Sequence, residues 1–337
     1  MITSRDGRPD MWGDWIHRHH LHPLASDAAA QVMLDLAPHA GTREQAALLG
    51  RSLSGVPLLL HLAGKALAET TAIPARWAAP GTLRQFTDYQ HALTAGEPTP
   101  GLDDKDGEER HLGALFARTW EISLDQLQKT GQAHARALLL LICCFGDAPL
   151  PYELVLTPST LATTNRFEGI TPAHLTRTLT SLHNLGLIAL TPTDDTRTPP
   201  RAATLALHPV IRTAARSHTD LTGADGNTYW RLATQLLLDA AEDLGAHTDS
   251  TQAWSQLSAH AADTLSHRHI EPGDEEASTH WNADDWRVEY VIGRGADQLA
   301  SNGLHYQALA LYDALIGISP DPGQPVPPIT SLHAGGR

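Results

Sequence analysis

Cysteine is nearly absent from this 337-residue chain, and the two present, Cys143 and Cys144, are adjacent within an apolar run. Neighbouring thiols cannot staple distant segments, so a disulfide framework is excluded. No uninterrupted apolar stretch approaches the length of a membrane-spanning helix. The first residues show no secretory signal, because Arg5, Asp6, Arg8, Asp10 and Asp14 fall where an apolar region should stand. Basic residues are scarce: 24 Lys and Arg face 38 Asp and Glu, for a net charge of −14. General nucleic-acid binding needs clustered cations, so it is not expected. No strand–Gly-x-Ser-x-Gly–helix pattern supports a nucleophilic hydrolase. These absences point to a soluble cytoplasmic protein without membrane contact.

The charge is uneven. Residues 1–129 carry 12 basic and 16 acidic side chains, residues 130–216 carry 7 and 5, and residues 217–337 carry 5 and 17. The middle block, alone in being net positive, reads as a separate module.

Helical periodicity dominates, and the fold class expected is mainly α. In LASDAAAQVMLDLAPHAG, Ser26 or Asp27 can cap a helix with Val32, Leu34 and Leu36 as its apolar surface, and Pro38 and Gly41 stop it. In GTREQAALLGRSLSG, Thr42 and Gln45 fit a capping box, and Ala46, Leu49 and Leu53 share a face. Gly55 suits the left-handed helix end, and Pro57 suits the first turn of the next helix. Leu59, Leu62, Ala66 and Leu67 then form a buried stripe. With LRQFTDYQHAL these make a helical subdomain over 25–95. The acidic, Gly- and Pro-rich stretch that follows reads as a linker over 96–112.

Residues 113–216 have another rhythm. HLGALFARTWEISLDQL and QAHARALLLLICCF read as helices. ITPAHLTRTLTSLHNLG has Thr171 as cap, Pro172 at the first position, and Leu175, Leu179, Leu182 and Leu185 on one face, with Gly186 closing it. Strands LIAL and ATLAL flank a turn-rich connection. Helices followed by a hairpin make a winged helix. Residues 217–285 read as a helical connector. Over 286–320, Leu299, Gly303, Tyr306, Ala308, Leu311, Tyr312 and Ala314 match one tetratricopeptide repeat, without a convincing second copy. The tail 321–337 reads as disordered.

The order of these elements resembles the second half of an NB-ARC module, the core of STAND-type signalling ATPases, of the actinobacterial type with C-terminal tetratricopeptide repeats. Three motifs carry the resemblance. ITSR, Ile2 to Arg5, is similar to the strand end whose Arg approaches the γ-phosphate of ATP; residues 1–24 would be a remnant of the nucleotide-binding domain. SGVPLLLHLAG resembles the Gly-x-Pro motif, here Gly55 and Pro57, in which the proline packs on adenine. LALHPVIRTAAR resembles the Met-His-Asp motif, here Leu207-His208-Pro209, in which the histidine meets the β-phosphate of ADP. Pro209 departs from the family's acid. The resemblance implies ADP or ATP as ligand and Arg5, Gly55, Pro57 and His208 as its contacts.

A phosphate-binding Gly-x-x-x-x-Gly-Lys-[Ser/Thr] is missing. The nearest stretch, LLHLAGK, ends in Gly64-Lys65 but has Leu59 and Ala66 where a glycine and a hydroxyl belong, inside a helix whose N–H groups are already engaged. No acidic strand precedes Arg5 for magnesium. The expectation is therefore a fragment of a regulatory switch with no catalytic residues, no ATPase activity and no tight nucleotide binding. It would act through protein partners on the C-terminal helices or through self-association, and would be poorly soluble alone. One alternative is a winged-helix DNA-binding regulator, the other a complete NTPase with a mis-called start. His17, His19, His20 and His22 could bind a metal, but 20 histidines are scattered through the chain, and no metal is expected.

Overall fold

In the computed structural model, residues 22–95, 105–193, 202–216, 218–222, 226–245, 251–266 and 285–318 are described. ITSR, His17, His19, His20 and the tail 321–337 lie outside them. The protein is mainly helical, with a single two-stranded sheet among the described residues. None of its described helices is long and apolar enough to cross a membrane. The chain divides into two units, 1–131 and 132–337.

The first unit is built from α1 (Ser26–Leu36), α2 (Arg43–Ser52), α3 (Pro57–Ala72), α4 (Phe86–Thr94) and α5 (Lys105–Lys129). The capping box of α2 forms as expected: Gln45 N–H donates to Thr42 Oγ1 at 3.4 Å, and Thr42 N–H to Gln45 Oε1 at 2.9 Å. Neither expected cap serves α1. Its N-cap is Ala25, without a side-chain bond. Ser26 Oγ instead accepts from Arg51 Nη1 of α2 at 2.9 Å. The buried face of α1 is also not the expected one. Ala29, Ala30, Met33 and Ala37 are buried, while Val32, Leu34 and Leu36 are only partly covered. Close helix approach explains this. A Cβ on Gly50 of α2 would stand 2.9 Å from the Ala29 Cβ, and one on Gly64 of α3 would stand 2.7 Å from Leu36 Cδ1. Only small residues permit such a crossing.

Two arginines finish helices in this unit. Arg84 Nη1 donates to the carbonyls of Thr70 at 2.6 Å and Ile73 at 2.7 Å, at the end of α3. Arg118 Nη2 donates to Ala92 O at 2.8 Å and Ala95 O at 2.9 Å, at the end of α4. Each satisfies carbonyls that a helix end leaves without partners.

The linker and the module boundary differ from the sequence reading. Residues 105–112 are helical, as the first turns of α5. That helix packs on α3 and α4, and Tyr89 Oη donates to Thr119 O at 3.2 Å. HLGALFARTWEISLDQL therefore belongs to the first unit and not to the winged helix. Its stripe of Leu115, Trp120, Leu124 and Leu127 marks a buried face but carries no label for the partner.

The second unit begins with α6 (Ala135–Cys143), α7 (Tyr152–Val155), α8 (Pro158–Leu161) and α9 (Pro172–Asn184). In α9, His174 N–H donates to Thr171 Oγ1 at 3.2 Å, Pro172 occupies the first turn, and Leu175, Leu179, Leu182 and Leu185 are buried. Strands β1 (Ile188–Thr191) and β2 (Thr204–Leu207) pair antiparallel, with Ile188 opposite Leu207 and Thr191 opposite Thr204. Leu150 joins the far side of β2 through two 2.8 Å backbone bonds with Leu205. The chain thus runs from α6 through an isolated bridge at Leu150 and three α-helices to an antiparallel hairpin, with the bridge on the far side of β2.

Then come α10 (Pro209–Arg216), α11 (Thr219–Thr222), α12 (Gly226–Gly245), α13 (Thr251–Ser266), α14 (Asp285–Ser301) and α15 (His305–Ile318). Each of α12 to α14 packs on its successor, and α12 also touches α14, as α13 touches α15. Contacts to the helix after next make a stacked array. α12 and α13 thus lie as a neighbouring layer on α14 and α15. The sequence stretch 286–320 does not have to stand alone.

Candidate functional site

The candidate residues fall in different units. Gly55 and Pro57 belong to the first and His208 to the second, while Arg5 lies outside the described residues.

At the junction of α2 and α3 the backbone turns through two left-handed residues, Ser54 (φ 53°) and Gly55 (φ 63°). The N–H groups of Ser54, Gly55 and Val56 donate to Arg51 O (2.9 Å), Gly50 O (3.0 Å) and Leu53 O (3.1 Å). They are therefore not free to hold an anion. Leu24 N–H donates to Gly55 O at 2.8 Å. Pro57, the first residue of α3, is exposed, and Val56 before it has no side-chain cap. The junction presents a flat apolar ring with no donor of its own, beside the positive end of a 16-residue helix.

His208 stands exposed between β2 and α10. Its Nδ1 accepts from Val210 N–H at 3.2 Å, and its carbonyl accepts from Arg212 N–H at 3.1 Å. An accepting Nδ1 puts the proton of the neutral ring on Nε2. The imidazole thus caps α10 with one nitrogen and keeps the other as a donor. Pro209 occupies the first turn of α10 and is exposed.

Sequence reading missed the polar cluster behind this junction. Arg212 and Arg216 lie one turn apart on the inner face of α10. Arg212 is nearly buried and pairs with Asp147. Arg216 donates to Cys143 O at 2.8 Å, Phe145 O at 3.1 Å and Asp263 Oδ2 at 2.5 Å, and its guanidinium lies 5.6 Å from the Trp230 ring centre. It ties the end of α6 to α12 and α13. The available signal was two arginines spaced four apart, on a face of α10 that carries no other polar residue.

The cysteines lie beside this cluster, fully buried and unpaired. Burial pushes the Cys143 thiol up to about 12 and the Cys144 thiol well above its ordinary value, against the pull of Arg216. Thiols held protonated in this way are poor nucleophiles and poor metal ligands. Among the described residues no group of three His, Cys, Asp or Glu side chains could hold a metal ion. His22, the described member of the N-terminal histidine cluster, is exposed.

No family model matches the chain, and no curated protein matches it.

Proposed function

We propose that this chain is part of an NB-ARC/STAND-type switch regulated by ADP and ATP, one that has no ATPase activity of its own and acts by binding other proteins. The observation that carries the reading is the His208 junction. There the junction of β2 and α10 holds an exposed imidazole whose Nε2 is a donor, suited to a diphosphate oxygen. In the family that the motifs resemble, the proline at the position of Pro57 packs on adenine, and the Pro57 ring is exposed here. Phosphate contacts from the chain itself are few, so nucleotide binding is weak. Leu304 (44 %), just before α15, and Tyr306 (92 %) and Leu309 (56 %) on it are exposed, apolar surface of the kind that protein partners cover.

The test is an NMR titration of the full chain with ADP, read at His208 and at Pro57–Leu58. Weak, saturable shifts at both places, which adenosine or phosphate alone do not reproduce, are expected, with no hydrolysis of ATP. Unchanged spectra at millimolar ADP would sink the nucleotide reading.

A second reading is DNA binding through α9. Its outward face carries Thr176, Arg177, Thr180 and Asn184, all exposed, and the helix has no acidic residue. One arginine supplies little phosphate contact. Filter binding at two salt concentrations separates the readings, because real phosphate contacts weaken steeply with salt.

A further inference from the structure

His260 of α13 is fully buried, and neither of its ring nitrogens makes a hydrogen bond. The ring sits edge-on to Phe145, with centroids 6.0 Å apart. A Cβ on Gly146 would lie 3.0 Å from the Asp263 Cβ, 3.3 Å from the Ala259 carbonyl oxygen and 3.4 Å from Nδ1, so a larger residue there would press α13 away from the end of α6. The helix is held at this contact by two further ties. Asp263 accepts from Arg216, and Thr264 Oγ1 donates to Cys144 O at 3.2 Å. An unpaired imidazole in a buried seat is costly, and the cost rises sharply when the ring gains a proton.

We propose that His260 is a proton-sensitive latch: the neutral ring fits its seat against Phe145 and Gly146 and holds α13 to the end of α6, and protonation releases α13 from that contact.

The groups around the ring oppose one another. Burial lowers the His260 pKa from 6.5 to about 4, and Arg212 of α10 adds to the lowering. Asp263, one turn along α13, and the Pro149 and Gly146 backbone favour the proton, although that backbone does not reach hydrogen-bonding geometry with either nitrogen. Asp147 and Arg216 are occupied by their own ion-pair partners, Arg212 and Asp263. Cys143 and Cys144 stay uncharged. Burial prevails. A ring whose pKa is depressed in the latched state binds its proton better when α13 is open. The latch is therefore fully stable above pH 6.5 and weakens as pH falls toward 4. From about pH 7.5 to about pH 5.5 the opening equilibrium rises about tenfold.

Hydrogen exchange of the full chain tests this. After correction for intrinsic rates, protection over α13 is expected to drop about tenfold between those two pH values in the native protein. In His260→Gln, which keeps a polar side chain but does not titrate, the pH dependence over α13 is expected to vanish. An equal drop in the variant, or no drop in the native protein, overturns the latch. If the variant does not fold, the native His260 ring resonance decides alone. Titration with a midpoint near the ordinary value overturns the proposal, and a ring still neutral at about pH 5 sustains it.

Discussion

Leu24 and Gly55 are joined backbone to backbone. The Leu24 N–H donates to the Gly55 carbonyl at 2.8 Å, and a Cβ on Gly55 would stand 2.3 Å from the Leu24 carbonyl oxygen. This glycine is demanded twice over, by its left-handed φ and by the segment lying against it.

Gly55→Ala is expected to destabilise the first unit by about 2 kcal/mol or more, through backbone strain and displacement of Leu24. Denaturant unfolding of the two proteins measures the difference. An equal midpoint would mean that the Leu24 segment moves aside without cost.

Arg84→Met removes the donor from the Thr70 and Ile73 carbonyls while keeping most of the aliphatic bulk. The half-buried site leads us to expect a loss of about 1–2 kcal/mol, discounted for access of water to the freed carbonyls. Amide exchange should rise at the C-terminal end of α3 and not at its start.

Gly295 of α14 stands where a Cβ would lie 2.3 Å from the Ser258 Cβ of α13. Gly295→Val is expected to cost about 3 kcal/mol by overpacking and to disturb α12 to α15 first. Limited proteolysis of the variant should cut within the C-terminal array before it cuts within the first unit.

Cys143 and Cys144 should be silent toward a thiol reagent such as dithionitrobenzoate at about pH 8 in the folded protein, because both are buried and protonated. Both should react in denaturant. Fast reaction of the folded protein would show that the end of α6 opens readily.

Much of the local structure could be read ahead of the fold. Thr42 with Gln45, Thr171 with His174, Pro57 and Pro172 in first turns, and left-handed Gly55 and Gly186 all stand as expected. The cap of α1 did not, because Arg51, 25 residues away, claimed Ser26. Gly55, Pro57 and His208 could be marked as candidates only through the resemblance of their motifs to those of a known family. That His208 uses Nδ1 to cap α10 could not, since this depends on how the backbone enters the helix.

The sequence by itself determined the helical class, the ends of α2 and α9, the first turn of α3 and the two strands of the hairpin, because caps, turn residues and apolar periods act over four residues or fewer. Tertiary structure decided the rest. It placed α5 in the first unit, set Leu150 beside β2, brought Arg216 to Asp263 and sealed His260 against Gly146. A stripe of leucines records that a face is buried but not against what. A charged or polar side chain acquires its partner only when distant segments have packed.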